Sequence, residues 1–489
     1  MDVLKHYVDL FNKEDEELYI NDIDNSHVYE WLKSEIPLFE CSDKDIERTY
    51  YFRYWTYRKH IKSTEDGYII TEFLPKVSWS IKHNAINAAV SHQISEGRWL
   101  KNADKYLLDY INFFLSDPKE YCTYSAWMLY AFWELYKVVP SIEINSELLD
   151  KMCRYYEFWE ETHRLENGLF WSIDGYDAME FSISGTPDKK HRLKGVRPTL
   201  NSYMCADAFA ISEFAKIVGD LEISQKYLQK HEFLKKEINE KLWKDGFYRA
   251  FHYETIEELE ALDTSNTSLV REEIGYIPWM FGIAPKEYNG VFDLLLDENV
   301  FACEYGITTA DKSHPDFLYE STHECLWNGY VWPFATSQTL SALIYTIKNN
   351  SDTPKFKNMF AKLLRQYAKS HTRTREDGTV VPWIDEVRHP MRDEWSAREI
   401  LKGFGWQENR GGKERGKDYN HSSFCDLVIS GLVGVRCENG EILADPIVSD
   451  EIEWFKLSNL HFNGKIYTIT YDKTGEKYGL GKGVFVDCK

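Results

Sequence analysis

Residues 99–115 read WLKNADKYLLDYINFFL and carry the clearest helical repeat in the chain. Apolar side chains recur there at steps of three and four, the spacing that puts them on one face of an α-helix. These side chains are Leu100, Ala103, Leu107, Tyr110, Ile111 and Phe114. The repeat stops at Asp117 and Pro118, because a proline cannot continue a helix. The stretch therefore predicts an amphipathic helix with one buried face.

The same periodicity runs from about residue 46 to about residue 435. A second strong example places apolar residues at steps of four and seven, and they are Ile223, Tyr227, Leu234, Ile238 and Leu242. Similar segments lie near residues 47–62, 82–97, 122–137, 147–164, 200–218, 331–348, 355–371 and 420–433. The segments often come in pairs, with loops of unequal length between the pairs. This alternation is typical of a barrel of helical hairpins, in which the long loops carry a site at one end.

The last 50 or so residues change to the pattern of β-strands. Residues 454–471 form two β-rich runs joined by Asn463-Gly464, a dipeptide that favours a tight hairpin turn. Residues 484–486 predict a third strand. The chain is therefore expected to have three parts, which are a helical lead-in at 1–45, a helical barrel at 46–435 and a small antiparallel β-rich segment at 436–489.

The composition argues against several kinds of partner and location. The chain has 58 Lys and Arg against 79 Asp and Glu, a formal net charge of −21. Such a surface repels nucleic-acid phosphates and anionic lipids, so we expect no nucleic acid and no membrane partner. No window approaches the roughly 18 continuous apolar residues of a membrane-spanning helix. The N-terminal residues lack the apolar core of a secretory signal, and we therefore expect a cytoplasmic protein.

The motifs that bind metals and nucleotides are also missing. The nine cysteines are scattered with no Cys-x-x-Cys pair, which favours buried thiols over disulfides or a zinc site. The sequence has no His-Glu-x-x-His motif and no glycine-rich phosphate loop. We therefore expect no metal and no cofactor.

Carboxylates and aromatic residues occur together in three loop regions. Aromatic residues make up 15% of the chain, and they fit either a large core or a groove in which sugar rings stack. The regions are residues 169–185, with Asp177 and Glu180; residues 382–395, with Glu386; and residues 326–333, where Trp327 and Trp332 flank an Asn-Gly turn. The charged run at 414–418 is also compatible with a solvated surface.

Cleavage of a glycosidic bond needs two carboxyl groups. One must hold a proton for the leaving oxygen, and the other must be ionised to activate water or to attack directly. Apolar rings around the first group raise its pKa because they desolvate the anion. Loops that are distant in sequence but meet at one end of a barrel would supply both groups.

Four short motifs follow one another along the chain. They are Phe73-Leu74 with Trp79, five residues beyond the Leu instead of two; Ala178-Met179-Glu180-Phe181-Ser182 with Pro198-Thr199-Leu200-Asn201; Trp327-Asn328-Gly329-Tyr330-Val331-Trp332; and Glu386 with Pro390 and Asn420-His421-Ser422-Ser423-Phe424. Together they resemble the (α/α)6 glycoside hydrolases that include trehalases, family 63 α-glucosidases and mannosylglycerate hydrolases. The resemblance spans about residues 55–462. It implies an (α/α)6 barrel, a toroid of six helical hairpins, that hydrolyses an O-glycosidic bond with inversion.

The resemblance also suggests roles for particular residues. It assigns the general acid to Glu180, where these enzymes usually have Asp, so Asp177 one helical turn earlier stays an alternative. It assigns the general base to Glu386. Residues expected to contact the sugar are Trp79, Asn84, Trp171, Arg197, Asn201, Trp327, Asn328, Trp332, Trp383 and His421. The expected partner is a short oligosaccharide or glycoside.

Three other functions fit parts of this pattern. A sugar epimerase on the same barrel would use histidines for proton transfer, and His83, His92, His323 and His421 are available. A polysaccharide lyase would need to bind an acidic polymer, which the net charge disfavours. A non-catalytic carbohydrate-binding protein would not need the acid pair of Glu386 with Glu180 or Asp177.

Overall fold

The computed structural model describes residues 2–19, 21–186, 193–253, 255–261, 267–349 and 354–489. About 48% of the chain is helical, and the strands form small antiparallel sheets, so the expected mainly α fold is confirmed. The α-helices of these residues are α1 (Val3–Lys13), α2 (Val28–Glu35), α3 (Lys44–His60), α4 (Val90–Gly97), α5 (Ala103–Ser116), α6 (Pro118–Tyr121), α7 (Met128–Val138), α8 (Ser146–His163), α9 (Pro198–Val218), α10 (Leu221–Glu237), α11 (Ile256–Ala261), α12 (Ile277–Met280), α13 (Pro333–Lys348), α14 (Pro354–Ser370), α15 (Ser396–Gly403) and α16 (Phe424–Asp426). Among them, no helix combines the length and hydrophobicity needed to span a bilayer.

The strands of the described residues are short except near the C-terminus. They are β1 (Leu38–Cys41), β2 (Ile61–Thr64), β3 (Gly67–Ile70), β4 (Trp171–Ser172), β5 (Gly195–Val196), β6 (Trp243–Lys244), β7 (Phe247–Tyr248), β8 (Phe251–His252), β9 (Ala302–Cys303), β10 (Gly306–Ile307), β11 (Thr372–Thr374), β12 (Val380–Pro382), β13 (Val435–Glu438), β14 (Glu441–Ala444), β15 (Trp454–Phe462), β16 (Lys465–Asp472) and β17 (Gly483–Cys488). The largest sheet has the order β1-β15-β16-β17, and β4-β5-β8 form a three-stranded sheet.

The helices differ in how much of their surface is buried. Helix α5 buries one face, as the repeat in residues 99–115 predicts. Helices α9 and α13 are buried on nearly every side, because apolar or small residues occupy almost all of their positions. Helix α9 packs against α7, α8 and α10, and α13 packs against α12 and α14. The chain therefore has inner helices, such as α9 and α13, surrounded by amphipathic outer ones.

The C-terminal sheet confirms the predicted hairpin. Strands β15 and β16 pair antiparallel around Asn463 and Gly464, both of which have positive φ, and β17 adds the predicted third strand. Strand β1 pairs with the other edge of β15, which was not predicted. The N-terminal segment and the C-terminal sheet are thus hydrogen-bonded to each other.

Two predicted helices begin later than expected. The segment at 82–97 becomes an α-helix only at Val90, because His83 and Asn84 both have φ of 60°, a left-handed conformation that an α-helix excludes. The segment at 122–137 becomes helical only at Met128. The residues before Val90 form two short 3-10 turns, at Lys82–Asn84 and Asn87–Ala89, and those before Met128 form a loop. Both segments reach the cavity described below.

Candidate active site

A cavity of about 180 Å³ lies among loops and helix starts from all parts of the chain. We call it the acid-lined cavity. Its lining residues are Glu72, Phe73, Trp79, Ile86, Ala88, Tyr124, Ala178, Glu180, His323, Cys325, Trp327, Trp332, Phe334, Glu386, Arg410, Arg415, Tyr419 and His421. The two acids expected from the sequence, Glu180 and Glu386, thus share one cavity with three of the expected tryptophans and with His421.

Glu386 follows strand β12 and is held by Arg415. The guanidinium contacts both carboxylate oxygens, with Nε 2.6 Å from Oε1 and Nη2 3.1 Å from Oε2. Both side chains are 1% exposed. Burial raises the pKa of Glu386, and the charge of Arg415 acts in the opposite direction. Since a bidentate arginine favours the ionised carboxylate, the pair suits a group that accepts a proton from water.

The backbone at Glu386 is fixed by its neighbour Asp385. One oxygen of Asp385 accepts a hydrogen bond from the amide of Glu386 at 2.9 Å, and the other accepts from Nε of Arg398 at 2.8 Å. Gly416 packs directly against this carboxylate with φ of 77°, and a Cβ at this position would lie 1.9 Å from Oδ1. The turn after Arg415 therefore requires glycine, which lets the arginine and the acid approach each other.

Glu180 lies in a loop with a constrained backbone. Ala178 and Phe181 on either side of it have φ of 56° and 62°, a conformation that is uncommon for residues with side chains and that concentrates at functional sites. The loop is held by Asp174, whose Oδ2 accepts from the amide of Phe181 at 2.9 Å. The carbonyl of Glu180 accepts from the amide of Trp327 at 3.1 Å. Glu180 is therefore tied to the aromatic loop that forms another wall of the cavity.

Asp177, the alternative acid, does not line the acid-lined cavity. Its Oδ2 accepts from Nε of Arg197 at 2.7 Å and from the Thr199 hydroxyl, and its Oδ1 accepts from Ser125 and Ser172 at 2.8 and 3.0 Å. The side chain is fully buried. With four donors around it, this carboxylate holds loops together, and the arrangement favours Glu180 over Asp177 as the acid.

The substitution Asp177→Ala is expected to destabilise the fold strongly. It would leave the buried guanidinium of Arg197 without its carboxylate partner, and breaking a buried ion pair in this way costs about 3–5 kcal/mol. The free energy of unfolding from urea titration, followed by tryptophan fluorescence, checks this. Asp9→Ala is the matched control, because Asp9 pairs with Lys5 on an exposed helix face and should cost less than about 1 kcal/mol. Equal stabilities for the two variants would contradict the structural role.

The aromatic wall is built from two stacked tryptophans and a third that faces an arginine. The rings of Trp327 and Trp332 stack with centroids 4.5 Å apart and an interplanar angle of 17°. Nε1 of Trp332 donates to the carbonyl of Leu326 at 2.8 Å. Trp79 also lines the cavity, and the guanidinium carbon of Arg415 lies 4.5 Å from its ring centroid. Rings fixed in this way present rigid apolar surface to a ligand.

Six of the residues expected to contact the sugar lie outside the acid-lined cavity. They are Asn84, Trp171, Arg197, Asn201, Asn328 and Trp383, none of which lines the acid-lined cavity. The asparagines satisfy backbone groups of irregular loops. Asn84 donates to the carbonyls of Phe73 and Pro75, both at 3.0 Å. Asn201 pairs with both backbone groups of Phe170.

Three more of the residues outside the acid-lined cavity also contact loop residues. Nδ2 of Asn328 donates to the carbonyl of Tyr319 at 2.9 Å. Trp171 stacks on His163, with ring centroids 4.6 Å apart. Nε1 of Trp383 lies 3.3 Å from Asp385, so this residue acts on Glu386 only through its neighbour. Loops without regular hydrogen bonding need such partners, which is why polar and aromatic residues near an active-site motif need not touch the ligand.

Several lining residues were not predicted. They are Glu72, Tyr124, Cys325, Arg410, Arg415 and Tyr419, while His323 was considered only for the epimerase alternative. Arg415 matters most, because the charged run at 414–418 is compatible with a solvated surface but Arg415 is 1% exposed. Its Nη1 also donates to Glu324 at 2.5 Å. The one signal in the sequence was Gly416, since a glycine inside a charged run indicates close backbone approach.

Within the described residues, one group of side chains has the spacing of metal ligands. The ligand atoms of Glu65, Asp66 and His83 lie within 4.8 Å of one another. Lys82 already forms ion pairs with both carboxylates, and both carboxylates are exposed. Ion pairing therefore explains this cluster, which lies outside the acid-lined cavity.

Comparison with known proteins identifies related chains and folds. A family model described as mannosylglycerate hydrolase MGH1-like glycoside hydrolase domain matches residues 82–422. A solved structure described as a sialidase is 34% identical with a TM-score of 0.86, and the match covers 99% of this chain and 42% of that one. An uncharacterized protein of Borreliella burgdorferi is 27% identical over 209 residues, which are 42% of this chain and 38% of the relative. The chain thus spans about two fifths of the length of each of these two proteins.

A more distant structure shares the fold. The GH63 mannosylglycerate hydrolase from Thermus thermophilus, solved in complex with glucose, is 10% identical with a TM-score of 0.51. The match covers 77% of this chain and 98% of that chain. At this identity the likeness concerns the fold alone, and that fold agrees with an α/α barrel.

Proposed function

Because the chain belongs to the family of mannosylglycerate hydrolase MGH1-like glycoside hydrolase domains and is therefore a glycosidase, we propose that Glu180 and Glu386 are its general acid and general base. The observation that carries this proposal is their position. The two residues are roughly 200 positions apart in the sequence, yet both line the acid-lined cavity. The substrate class that we propose is a short oligosaccharide or a small glycoside.

The proposed reaction is a single displacement by water. Glu180 donates its proton to the leaving oxygen as the glycosidic bond breaks. Glu386 removes a proton from a water molecule that attacks the anomeric carbon from the opposite face, so the configuration inverts. The bidentate contact with Arg415 supports the role of Glu386, because it favours the ionised form that a base requires.

The cavity itself supports a small substrate. At about 180 Å³ it suits one sugar unit rather than a long polymer segment. Trp79, Trp327 and Trp332 supply apolar rings for the C–H faces of a sugar, while the acids supply partners for its hydroxyl groups. The remaining part of the substrate would extend through the cavity opening.

We also propose that the helices form an (α/α)6 barrel. In this proposal residues 46–435 make the barrel, and residues 1–45 and 436–489 flank it. The burial of α9 and α13 within a layer of amphipathic helices supports the barrel, and the pairing of β1 with β15 supports two flanking segments that pack together.

The test of function is release of free sugar from a panel of aryl glycosides, disaccharides and glycosides of glycerate, with sialosides included because one relative is described as a sialidase. We expect hydrolysis of at least one small glycoside, with no loss of rate in a metal chelator. The Glu180→Gln variant on the same substrate is the control for contaminating glycosidases. Epimerisation of a free sugar without bond cleavage, or equal rates for wild type and variant, would contradict the proposal.

A further inference from the structure

A third carboxyl group lies in the acid-lined cavity. Glu72 follows strand β3, lines the cavity and is 5% exposed. The hydroxyl of Tyr419 donates to its Oε1. The amide of Asn420 donates to its backbone carbonyl at 3.1 Å. Glu72 is therefore fixed by a segment that is roughly 350 residues away in the sequence, and its carboxyl group faces the same space as Glu180 and Glu386.

The two arginines that line the cavity form ion pairs with acids other than Glu72. Arg415 contacts Glu386 and Glu324, and Arg410 also pairs with Glu324. Glu72 has the neutral phenol of Tyr419 as its hydrogen-bond partner, and no lysine or arginine of the described residues forms an ion pair with it. A buried carboxylate without a paired cation is costly, and such a group becomes neutral by taking up a proton.

The groups that face Glu72 decide its protonation. They are Glu180, Glu386, Arg415, Tyr419 and, from helix α5, Tyr110. Burial, together with the negative charges of Glu386 and Glu180, raises the pKa of Glu72 to about 8, although Tyr419 and Arg415 act against it. These surroundings favour the protonated form of Glu72 at neutral pH. Because Tyr419 donates to Oε1, that proton sits on Oε2.

We propose that Glu72 is a substrate-binding residue that stays protonated through the reaction and donates a hydrogen bond from Oε2 to a hydroxyl oxygen of the sugar held between Glu180 and Glu386. This inference rests on the proposed function. It gives the three acids different tasks, since Glu180 gives up its proton, Glu386 takes one and Glu72 keeps its own. An ionised Glu72 would offer no donor, and it would place an uncompensated negative charge beside the ionised base.

The test compares kcat/KM across pH for wild type, Glu72→Gln, Glu72→Ala and Tyr419→Phe, using a glycoside that the wild type hydrolyses. In the wild type kcat/KM should fall at alkaline pH as Glu180 loses the proton that the leaving oxygen needs. Above about pH 8 the fall should become about tenfold per pH unit steeper, because Glu72 loses its donor as well. Glu72→Gln keeps a neutral donor of similar shape. It should lose the additional fall above pH 8, keep the fall set by Glu180 and be a few-fold slower below pH 7. Glu72→Ala should lose roughly 10-fold or more, mainly through KM. Tyr419→Phe should move this additional fall to higher pH, because the phenol lowers the pKa of Glu72.

Each other outcome overturns the inference in a recognisable way. If the fall of kcat/KM above pH 8 is equally steep in Glu72→Gln and in the wild type, the additional titration belongs to another group. A Glu72→Gln variant as inactive as Glu180→Gln at every pH makes Glu72 a proton-transfer residue instead. In both cases the wild type still hydrolyses the substrate and Glu180→Gln does not. If the proposed function itself were wrong, Glu180→Gln would hydrolyse the substrate at the wild-type rate. Normal kcat/KM in Glu72→Ala would show that the side chain does not contact the sugar.

Discussion

Replacing Glu180 by Gln is expected to lower kcat by about 10²–10⁴-fold, the usual contribution of a general acid. The amide cannot give a proton to the leaving oxygen, so the loss falls on the transition state and leaves binding of the ground state largely intact. The measurement is steady-state kinetics on two substrates with the same sugar, one with an alcohol and one with a nitrophenol as leaving group. The loss should be much smaller for the nitrophenol, because that group departs without protonation.

The matched comparison is Asp177→Asn, the same acid-to-amide change three residues earlier. Asp177 is held by Arg197 and three hydroxyl groups away from the cavity, so this variant should lose stability without becoming dependent on the leaving group. Glu180→Gln should keep the thermal midpoint within a few degrees, since its side chain lines an open space. The reverse pattern, with leaving-group dependence in Asp177→Asn, would move the acid to Asp177.

The sequence was sufficient to predict elements that repeat a simple pattern. Helix α5 and the β15–β16 hairpin follow directly from apolar periodicity and from the Asn463-Gly464 turn, because both depend on residues close in the chain. Glu180 and Glu386 could be found because the motifs around them resemble a known family. Their convergence in one cavity depends on the packing of the whole helical layer, which no local pattern encodes.

The rest of the site depended on contacts between distant segments. Arg415 occurs in a run of charges that looks solvent-exposed, and only the approach of residues 385–386 shows that it is buried. Glu72 precedes a motif without belonging to it, and its chemistry comes from Tyr419 and from the charges around it.

The residues that were predicted to bind sugar but do not line the cavity share one property. Asn84, Asn201 and Asn328 all satisfy backbone groups of loops. A residue's place in a motif therefore does not tell whether it contacts the ligand or supports the loop. Burial and hydrogen-bond partners separate the two, and both require coordinates.

Replacing Glu386 by Gln is expected to lower kcat by about 10²–10⁴-fold, because water then attacks without a base. The fold should tolerate this change, since the Gln carbonyl can still accept from Arg415 and Glu324 continues to balance the charge of the arginine. Unlike Glu180→Gln, the variant should lose activity to a similar degree on substrates with alcohol and nitrophenol leaving groups. Arg415→Lys is the matched control for the ion pair. It keeps the charge but removes the bidentate contact, so it should be impaired less than Glu386→Gln. The acidic limb of its kcat/KM profile should move to higher pH, because Arg415 lowers the pKa of Glu386.

The stereochemistry of the product separates a base from a nucleophile at Glu386. If Glu386 activates water, there must be room for that water, so a crystal structure should show the carboxyl groups of Glu180 and Glu386 roughly 6.5–9.5 Å apart. The first sugar released, followed by NMR before mutarotation, should then have the opposite anomeric configuration to the substrate. Retention with a separation of roughly 5–5.5 Å would make Glu386 the nucleophile of a covalent intermediate.

Arg415 contacts the carboxylate of Glu386 in either role. Its two hydrogen bonds reach both oxygens of Glu386, and its charge lowers the basicity and the nucleophilicity of the carboxylate together. The anomer of the product therefore decides between the two roles, and retention in the wild type would refute the assignment of Glu386 as the base.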